Sequence, residues 1–162
     1  MSSDTNVVSE VVLNSSNMLD DDKYLTIRID NEEYALEVKS ILEIVGIVTI
    51  TPLPNLPEYI KGVINLRGKV YPVIDIRIRF NIKEKEYNDR TCIIIVQNKE
   101  FSVGLIVDDV NEVISIPQKM ILPPPKIVKS KAGRFINGLG KTNSGIKLLL
   151  DTEKILFDSE EE

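Results

Sequence analysis

Histidine is absent from this 162-residue chain, and cysteine occurs once, at Cys92. The first absence removes Ser-His-Asp and Cys-His catalysis, imidazole-based zinc sites and a phosphohistidine relay. The second removes intramolecular disulfides and any Cys-x-x-Cys metal or redox pair. Cys92 lies in an apolar run and reads as a small core residue. Tryptophan is missing too, and with it the usual aromatic platform for sugars. Basic charge is not in excess: 20 Lys and Arg stand against 25 Asp and Glu, a net charge of −5. That balance argues against a nucleic-acid binder, which needs a basic stripe. No run approaches the roughly 18 uncharged apolar residues of a membrane helix. Met1 to Asp22 lacks the basic start and apolar stretch of a signal peptide. These absences lead to the expectation of a cytoplasmic protein without histidine- or thiol-based catalysis, and no catalytic residue, metal or cofactor is assigned.

What is present is a strand-forming chain. Hydrophobic residues make up 43%, enough for one domain or two very small ones sharing a core. Residues 1–21 read as a flexible tail, and Glu160 to Glu162 as an acidic end. From Tyr24 the pattern has period two: Leu25, Ile27 and Ile29 alternate with Thr26, Arg28 and Asp30, a half-buried strand. Tyr34, Leu36 and Val38 return, and Ile41 to Val48 forms a third apolar segment. Pro52, Pro54 and Pro57 mark a loop, and Pro57 to Ile60 fits one helical turn. Two apolar runs flank Asn65-Leu66-Arg67-Gly68, which predicts a β-hairpin with Arg67 at its tip. Ile74, Ile76, Ile78 and Phe80 fit either a strand or a single helical turn. Thr91 to Val96 is suited to burial on both faces, and a strand from Phe101 runs into Val107 to Val110. After a further strand at Val113 to Ile116, Pro117 to Gly133 is a long loop with three consecutive prolines, read as extended. A last hairpin and a short helix over Glu153 to Phe157, capped by Asp151 or Thr152, complete the chain. About ten short strands with regular turn signals and little helix predict an all-β barrel or sandwich.

Two stretches resemble each other. Asn31 to Leu36 matches Asn98 to Val103, and Ile41-Leu42-Glu43-Ile44 matches Val110-Asn111-Glu112-Val113. The repeat predicts two similar small β units that pack on each other, with a groove along their seam.

Few residues offer chemistry. Gly140-Lys141-Thr142 mimics the end of a phosphate-binding loop, but the first glycine of that motif is replaced by Phe135 and a strand follows where a helix should start. A hairpin turn is the better reading. Asp108 and Asp109 are adjacent, so in a strand they point to opposite faces. Asp75 and Glu43 lie in apolar surroundings and can pair with Arg67 or Arg77. The rival enzymatic reading makes a hydrolase of Glu43, Asp75 or Asp108; an oligonucleotide-binding barrel is a further alternative. Arg67 is either a solvated turn residue or a planar donor held out to a partner.

Tyr59 to Gly68, with Pro72 to Arg77 and Phe80, resembles the signature of CheW-like coupling proteins of bacterial chemotaxis. Tyr34, Val38, Ile41 to Ile44, Gly104 to Val110 and Gly138-Leu139-Gly140 extend the resemblance over roughly Lys23 to Phe157. It implies an all-β fold of two five-stranded SH3-like barrels side by side, with a short C-terminal helix, over residues 22–158. The two barrels would occupy roughly 22–82 and 90–150, with strand exchange between them allowed, followed by an acidic tail at 159–162. It implies a stand-alone, non-enzymatic adaptor that joins the cytoplasmic tips of transmembrane chemoreceptors to the regulatory domain of a histidine kinase. Such an adaptor is cytoplasmic and recruited to receptor clusters at the membrane. By position, Ile41, Glu43, Gly62, Asn65, Leu66 and Arg67 would bind the receptor. Gly104, Ile106, Asp108 and Val110 would face the kinase.

Overall fold

Eleven strands and two short helices build the residues that this computed structural model describes, 22–99, 101–124 and 132–157. The strands are β1 (Lys23–Ile29), β2 (Glu32–Glu37), β3 (Ile41–Gly46), β4 (Ile60–Leu66), β5 (Lys69–Asp75), β6 (Cys92–Gln97), β7 (Ser102–Val107), β8 (Asp109–Ser115), β9 (Ile121–Leu122), β10 (Ile136–Thr142) and β11 (Gly145–Leu150). Helices α1 (Ile76–Arg79) and α2 (Thr152–Phe157) follow β5 and β11. The all-β class is as the sequence predicts. One sheet has the order β8-β1-β2-β11-β10-β9 and the other β3-β6-β7-β5-β4. Neither closes into a complete hydrogen-bonded barrel, and the first has six strands because the two-residue β9 joins it. The two acidic or polar tails predicted at 1–21 and 159–162, and Pro125 of the proline run, lie outside the described residues.

The two sheets repeat one plan, and the repeat fixes where the chain crosses between them. In each, a central hairpin (β1–β2 or β6–β7) is flanked antiparallel by a third strand (β8 or β3) and parallel by the second strand of another hairpin (β11 or β5). The registers agree residue by residue. Ile27 faces Val110 as Val96 faces Ile41, and Leu25 faces Val113 as Ile94 faces Ile44. Both third strands carry a bulge at the same place. Equivalent positions are 69 residues apart (110 − 41 = 69). Likewise Ile60 and Gly62 of β4 correspond to Ile136 and Gly138 of β10, 76 apart (136 − 60 = 76), again across a shared bulge. The third strands are exchanged: β3 follows β2 in the chain but joins the other sheet, and β8 does the reverse.

Packing follows from that plan. Strand β6 has apolar residues on both faces and is buried twice, whereas β1 is apolar on one face and carries Tyr24, Thr26 and the exposed Arg28 on the other. Ile94 and Val96 pack with Leu25, Ile27 and Ile29 in the core shared by the two sheets, while Ile93 and Ile95 form a second cluster with Ile64 and Val73 within the second sheet. At roughly 1.5–3 kcal/mol for each fully buried side chain, these layers dominate the favourable side of folding.

Two local expectations change, at Thr26 and at the end of the strand from Ser102, and two local readings are settled, at residues 76–79 and 57–60. The polar face of β1 is not solvated at Thr26, which is 1% exposed. Its hydroxyl donates to the Glu112 carbonyl (3.0 Å) and accepts the Glu112 N–H (3.1 Å), bridging the β8 bulge. Residues 76–79 form the helical turn, not a strand, because the Asp75 carboxylate accepts the N–H groups of Arg77 (2.9 Å) and Ile78 (3.4 Å) and caps it. The strand from Ser102 stops at Val107, and Asp108 is the point of crossover to the other sheet. The Pro57–Ile60 segment is one hydrogen-bonded turn, with the Ile60 N–H on the Pro57 carbonyl (3.0 Å).

Candidate functional site

The outer strands of the second sheet, β3 and β4, share no ladder, yet they are tied together. The first tie is a strap, the proline-bearing segment 47–59. Thr51 and Val63 exchange two backbone hydrogen bonds of 2.9 Å each. The strap can approach this closely because residue 62 is glycine. A Cβ on Gly62 would lie 2.1 Å from the Thr51 carbonyl oxygen, and its φ of +144° is one that side-chain-bearing residues avoid.

The second tie is the hairpin tip. Arg67 takes a φ of +51°, a left-handed conformation that costs a non-glycine residue about 1 kcal/mol. The Asn65 side-chain carbonyl accepts the Gly68 N–H (2.9 Å) and braces the turn. So placed, Arg67 donates from Nη2 to the Glu43 carboxylate of β3. The Arg67 side chain remains 71% exposed and that of Glu43 22%. An exposed pair of this kind adds little stability; what it does is hold a planar cation out at an open sheet edge. Leu42 of β3 and Leu53 and Leu56 of the strap are exposed apolar residues on these same two elements.

Of the six residues assigned to receptor binding, Glu43 and Arg67 are in direct contact, Asn65 shapes their turn, and Gly62 seats the strap. Leu66 is half-buried against the second sheet's interior. Ile41 is in the central core at 7% exposure, so its side chain is no surface contact. The four residues assigned to kinase binding do not form a surface. Gly104 and Ile106 are buried in β7, and Gly104 is closed in by Ile93 and Val73, whose methyls would lie 2.7 and 2.8 Å from an added Cβ. Val110 is half-buried against the core, and Asp108 is engaged elsewhere.

That engagement is a charge cluster which sequence reasoning missed. Arg77 is buried. Its Nε lies 3.0 Å from Asp108 Oδ1, and its Nη2 donates to Asp108 Oδ2 (2.9 Å) and Asp30 Oδ1 (3.0 Å). Nη1 donates to the Lys83 carbonyl (2.6 Å), and the Asp30 N–H donates to Asp108 Oδ2 (2.8 Å). The guanidinium thus joins the β1–β2 turn of one sheet to the β7–β8 crossover from the other. Burial alone would raise the Asp108 carboxyl, but the Arg77 hydrogen bonds, the Asp30 amide and the guanidinium charge outweigh it and hold it below the usual carboxylate range. Nearby, the Tyr87 hydroxyl donates to Asp75 (2.6 Å) and is pushed up by burial and then by that carboxylate. Each carboxylate of the hydrolase reading therefore has a structural partner: Glu43 has Arg67, Asp75 has its helix cap and Tyr87, and Asp108 has Arg77.

Two lesser features settle as the sequence suggests. Thr142 sits at the end of β10, and its hydroxyl donates to the Gly145 carbonyl (2.6 Å) in a hairpin turn. Cys92 is half-buried, and burial, then Asp109, push its thiol up to about 11. Alkylation at pH 7.5 should accordingly be many times slower than for free cysteine in the folded chain and recover in denaturant; equal rates in both would contradict this placement. Among the described residues no group of acidic or cysteine side chains is placed to hold a metal, and no helix is long and apolar enough to cross a membrane.

The geometry agrees with what the chain is similar to. A family model described as a CheW-like domain matches residues 23–160. The chemotaxis protein CheW of Klebsiella aerogenes is 34% identical over 138 residues, covering 85% of this chain and 83% of that protein. Its counterpart in Helicobacter pylori is 37% identical over 128 residues, covering 79% and 77%. The crystal structure of the scaffolding protein TtCheW from Thermoanaerobacter tengcongensis superposes with a TM-score of 0.78 at 36% identity, covering 87% of this chain and 95% of that one. The chain belongs to the CheW-like family.

Proposed function

We propose that this protein is a chemotaxis adaptor that couples transmembrane chemoreceptors to a histidine kinase, working in the cytoplasm at receptor clusters. Family membership supports the adaptor role. The observation that carries the receptor half is Arg67, held exposed by its turn and by Glu43 at an open sheet edge. A receptor helix carrying a carboxylate beside its apolar face would suit this edge, and Arg67 offers its remaining donors to that carboxylate. Of the residues that the resemblance gives to the kinase, only Asp108 and Val110 are partly exposed, and the kinase contact is proposed at the β7–β8 crossover that carries them. The adaptor's output is geometric: it holds two partners so that a change in one shifts the population of states in the other.

Arg67→Ala should weaken binding to a receptor-tip fragment by about tenfold or more, the usual loss for a central interface arginine. Circular dichroism and the melting midpoint should stay at wild-type values, because the side chain is exposed. Unchanged receptor affinity in that variant would remove Arg67 from the site.

A further inference from the structure

The two repeats do not fill one corner of the fold equally. In the first, Tyr34 of β2 and Phe80 at the end of α1 pack ring to ring, with centroids 5.6 Å apart, beside Ile136, Leu148 and Leu150. Phe80 also stacks on Phe135 at 5.1 Å. The equivalent positions in the second repeat follow from the registers. Val103 stands for Tyr34, since Tyr34 faces Ile27 as Val103 faces Val96. Leu156 stands for Phe80, five residues beyond Asp151 as Phe80 is beyond Asp75. Ile60, Pro72 and Ile74 stand for the three aliphatic residues. Tyr59, the counterpart of Phe135, has the Arg79 guanidinium 4.1 Å from its centroid.

Two rings are thus replaced by smaller aliphatic groups, and an open cavity of about 150 Å³ lies among those groups in the second repeat. Its remaining walls are Phe101 and Phe157, whose rings lie 5.8 Å apart and are 52% and 54% exposed. No charged side chain lines it. A ligand bearing charge would be left unpaired there, at a cost of several kcal/mol. The volume is well below the roughly 300 Å³ at which small-molecule pockets begin, and is the size that accepts a single benzene ring.

We infer that this cavity is a docking notch for one aromatic side chain of a partner protein, taking the place that Phe80 fills in the other repeat. The ring chemistry comes from the internal comparison and the apolar lining; that a protein supplies the ring rests on the adaptor reading.

The test uses the full chain, methyl-labelled at Ile, Leu and Val, with toluene as the probe. Saturable shifts are expected at Ile60, Ile74, Val103 and Leu156 and not at Ile136 or Leu150. Leu156→Phe, which restores the ring of the other repeat, should weaken toluene binding at least about tenfold. Val103→Tyr serves if that variant does not fold. In a complex with receptor fragment and kinase, the Ile60 and Val103 methyls should shift, and Leu156→Phe should assemble at least about tenfold more weakly. No saturable toluene shift in the wild type would overturn the notch. So would a complex that leaves those methyls unmoved and forms equally well with Leu156→Phe. A complex that never forms, while toluene still binds, would overturn the adaptor reading and the protein partner with it.

Discussion

Replacing Gly62 with alanine is expected to destabilise the chain by roughly 2–4 kcal/mol, near the top of the range for single substitutions. Two penalties combine. A Cβ would stand 2.1 Å from the Thr51 carbonyl oxygen, a backbone atom that can yield only if the strap moves away. The φ of +144° adds strain that alanine cannot relieve without shifting β4. The strap should therefore detach at Thr51, losing both hydrogen bonds to Val63 and moving Leu53 and Leu56 with it. Denaturant unfolding gives the magnitude, and hydrogen exchange at the Thr51 and Val63 amides gives the mechanism. Wild-type stability with both amides still protected would show that the strap is not seated as described. Because the strap borders the Arg67 edge, the same variant should also bind a receptor fragment more weakly.

Arg77→Ala is the second large expected effect, about 2–4 kcal/mol. Removing one member of a buried ion pair leaves the other charge desolvated, and the loss is moderated because Asp30 is 51% exposed and stays solvated. Asp108 then becomes a carboxylate at 16% exposure without its main partner. The cluster also has a pH signature. The Asp108 carboxyl is held below its ordinary value of 3.8 in the folded state. A carboxyl lowered in the folded state stabilises it fully above the unfolded value and loses that contribution as pH falls through the folded value. Acid unfolding of the wild type should therefore steepen below about pH 4. In the double variant Arg77→Ala, Asp108→Asn, that part of the pH dependence should vanish, and the stability should be higher than in Arg77→Ala alone. A double variant no more stable than the single one would mean that Asp108 is adequately solvated without the guanidinium.

These predictions draw on features of unequal visibility in the sequence. The strands of β1, β6 and the two outer hairpins were legible because apolar periodicity and turn residues are local signals. So was the Arg67 turn, since Asn65 and Gly68 are there to build it. The helical turn after Asp75 was ambiguous, since four residues of alternating Ile and Arg satisfy both periods and the deciding group is a single capping carboxylate. The repeat was legible but misaligned in its first half. Asn31 to Leu36 lines up with Asn98 to Val103 by residue type, whereas the sheets place Tyr34 opposite the position of Val103, two residues later. The reason is turn length: two residues join β1 to β2 and four join β6 to β7. The extra two carry Phe101 out to the surface, where it walls the cavity instead of filling it. The Arg77 cluster was not legible at all. Its partners lie 31 and 47 residues away in sequence, and nothing local distinguishes Asp108, which takes the arginine, from Asp109, which pairs with Arg90. The kinase-facing assignment failed at Gly104 and Ile106 for a related reason: a strand with one neighbour on each side and a core on each face has no free surface, and that follows from topology.

The central claim is that the chain joins a receptor to a kinase, with Arg67 at the receptor contact. Co-sedimentation of a membrane-bound receptor tip and the chemotaxis kinase, with and without this protein, tests it most directly. The account predicts that the kinase pellets with the receptor when the wild-type protein is present. It also predicts that the Arg67→Ala variant still binds the kinase but no longer brings it down. Kinase that pellets equally well without the protein, or with the variant, would contradict it.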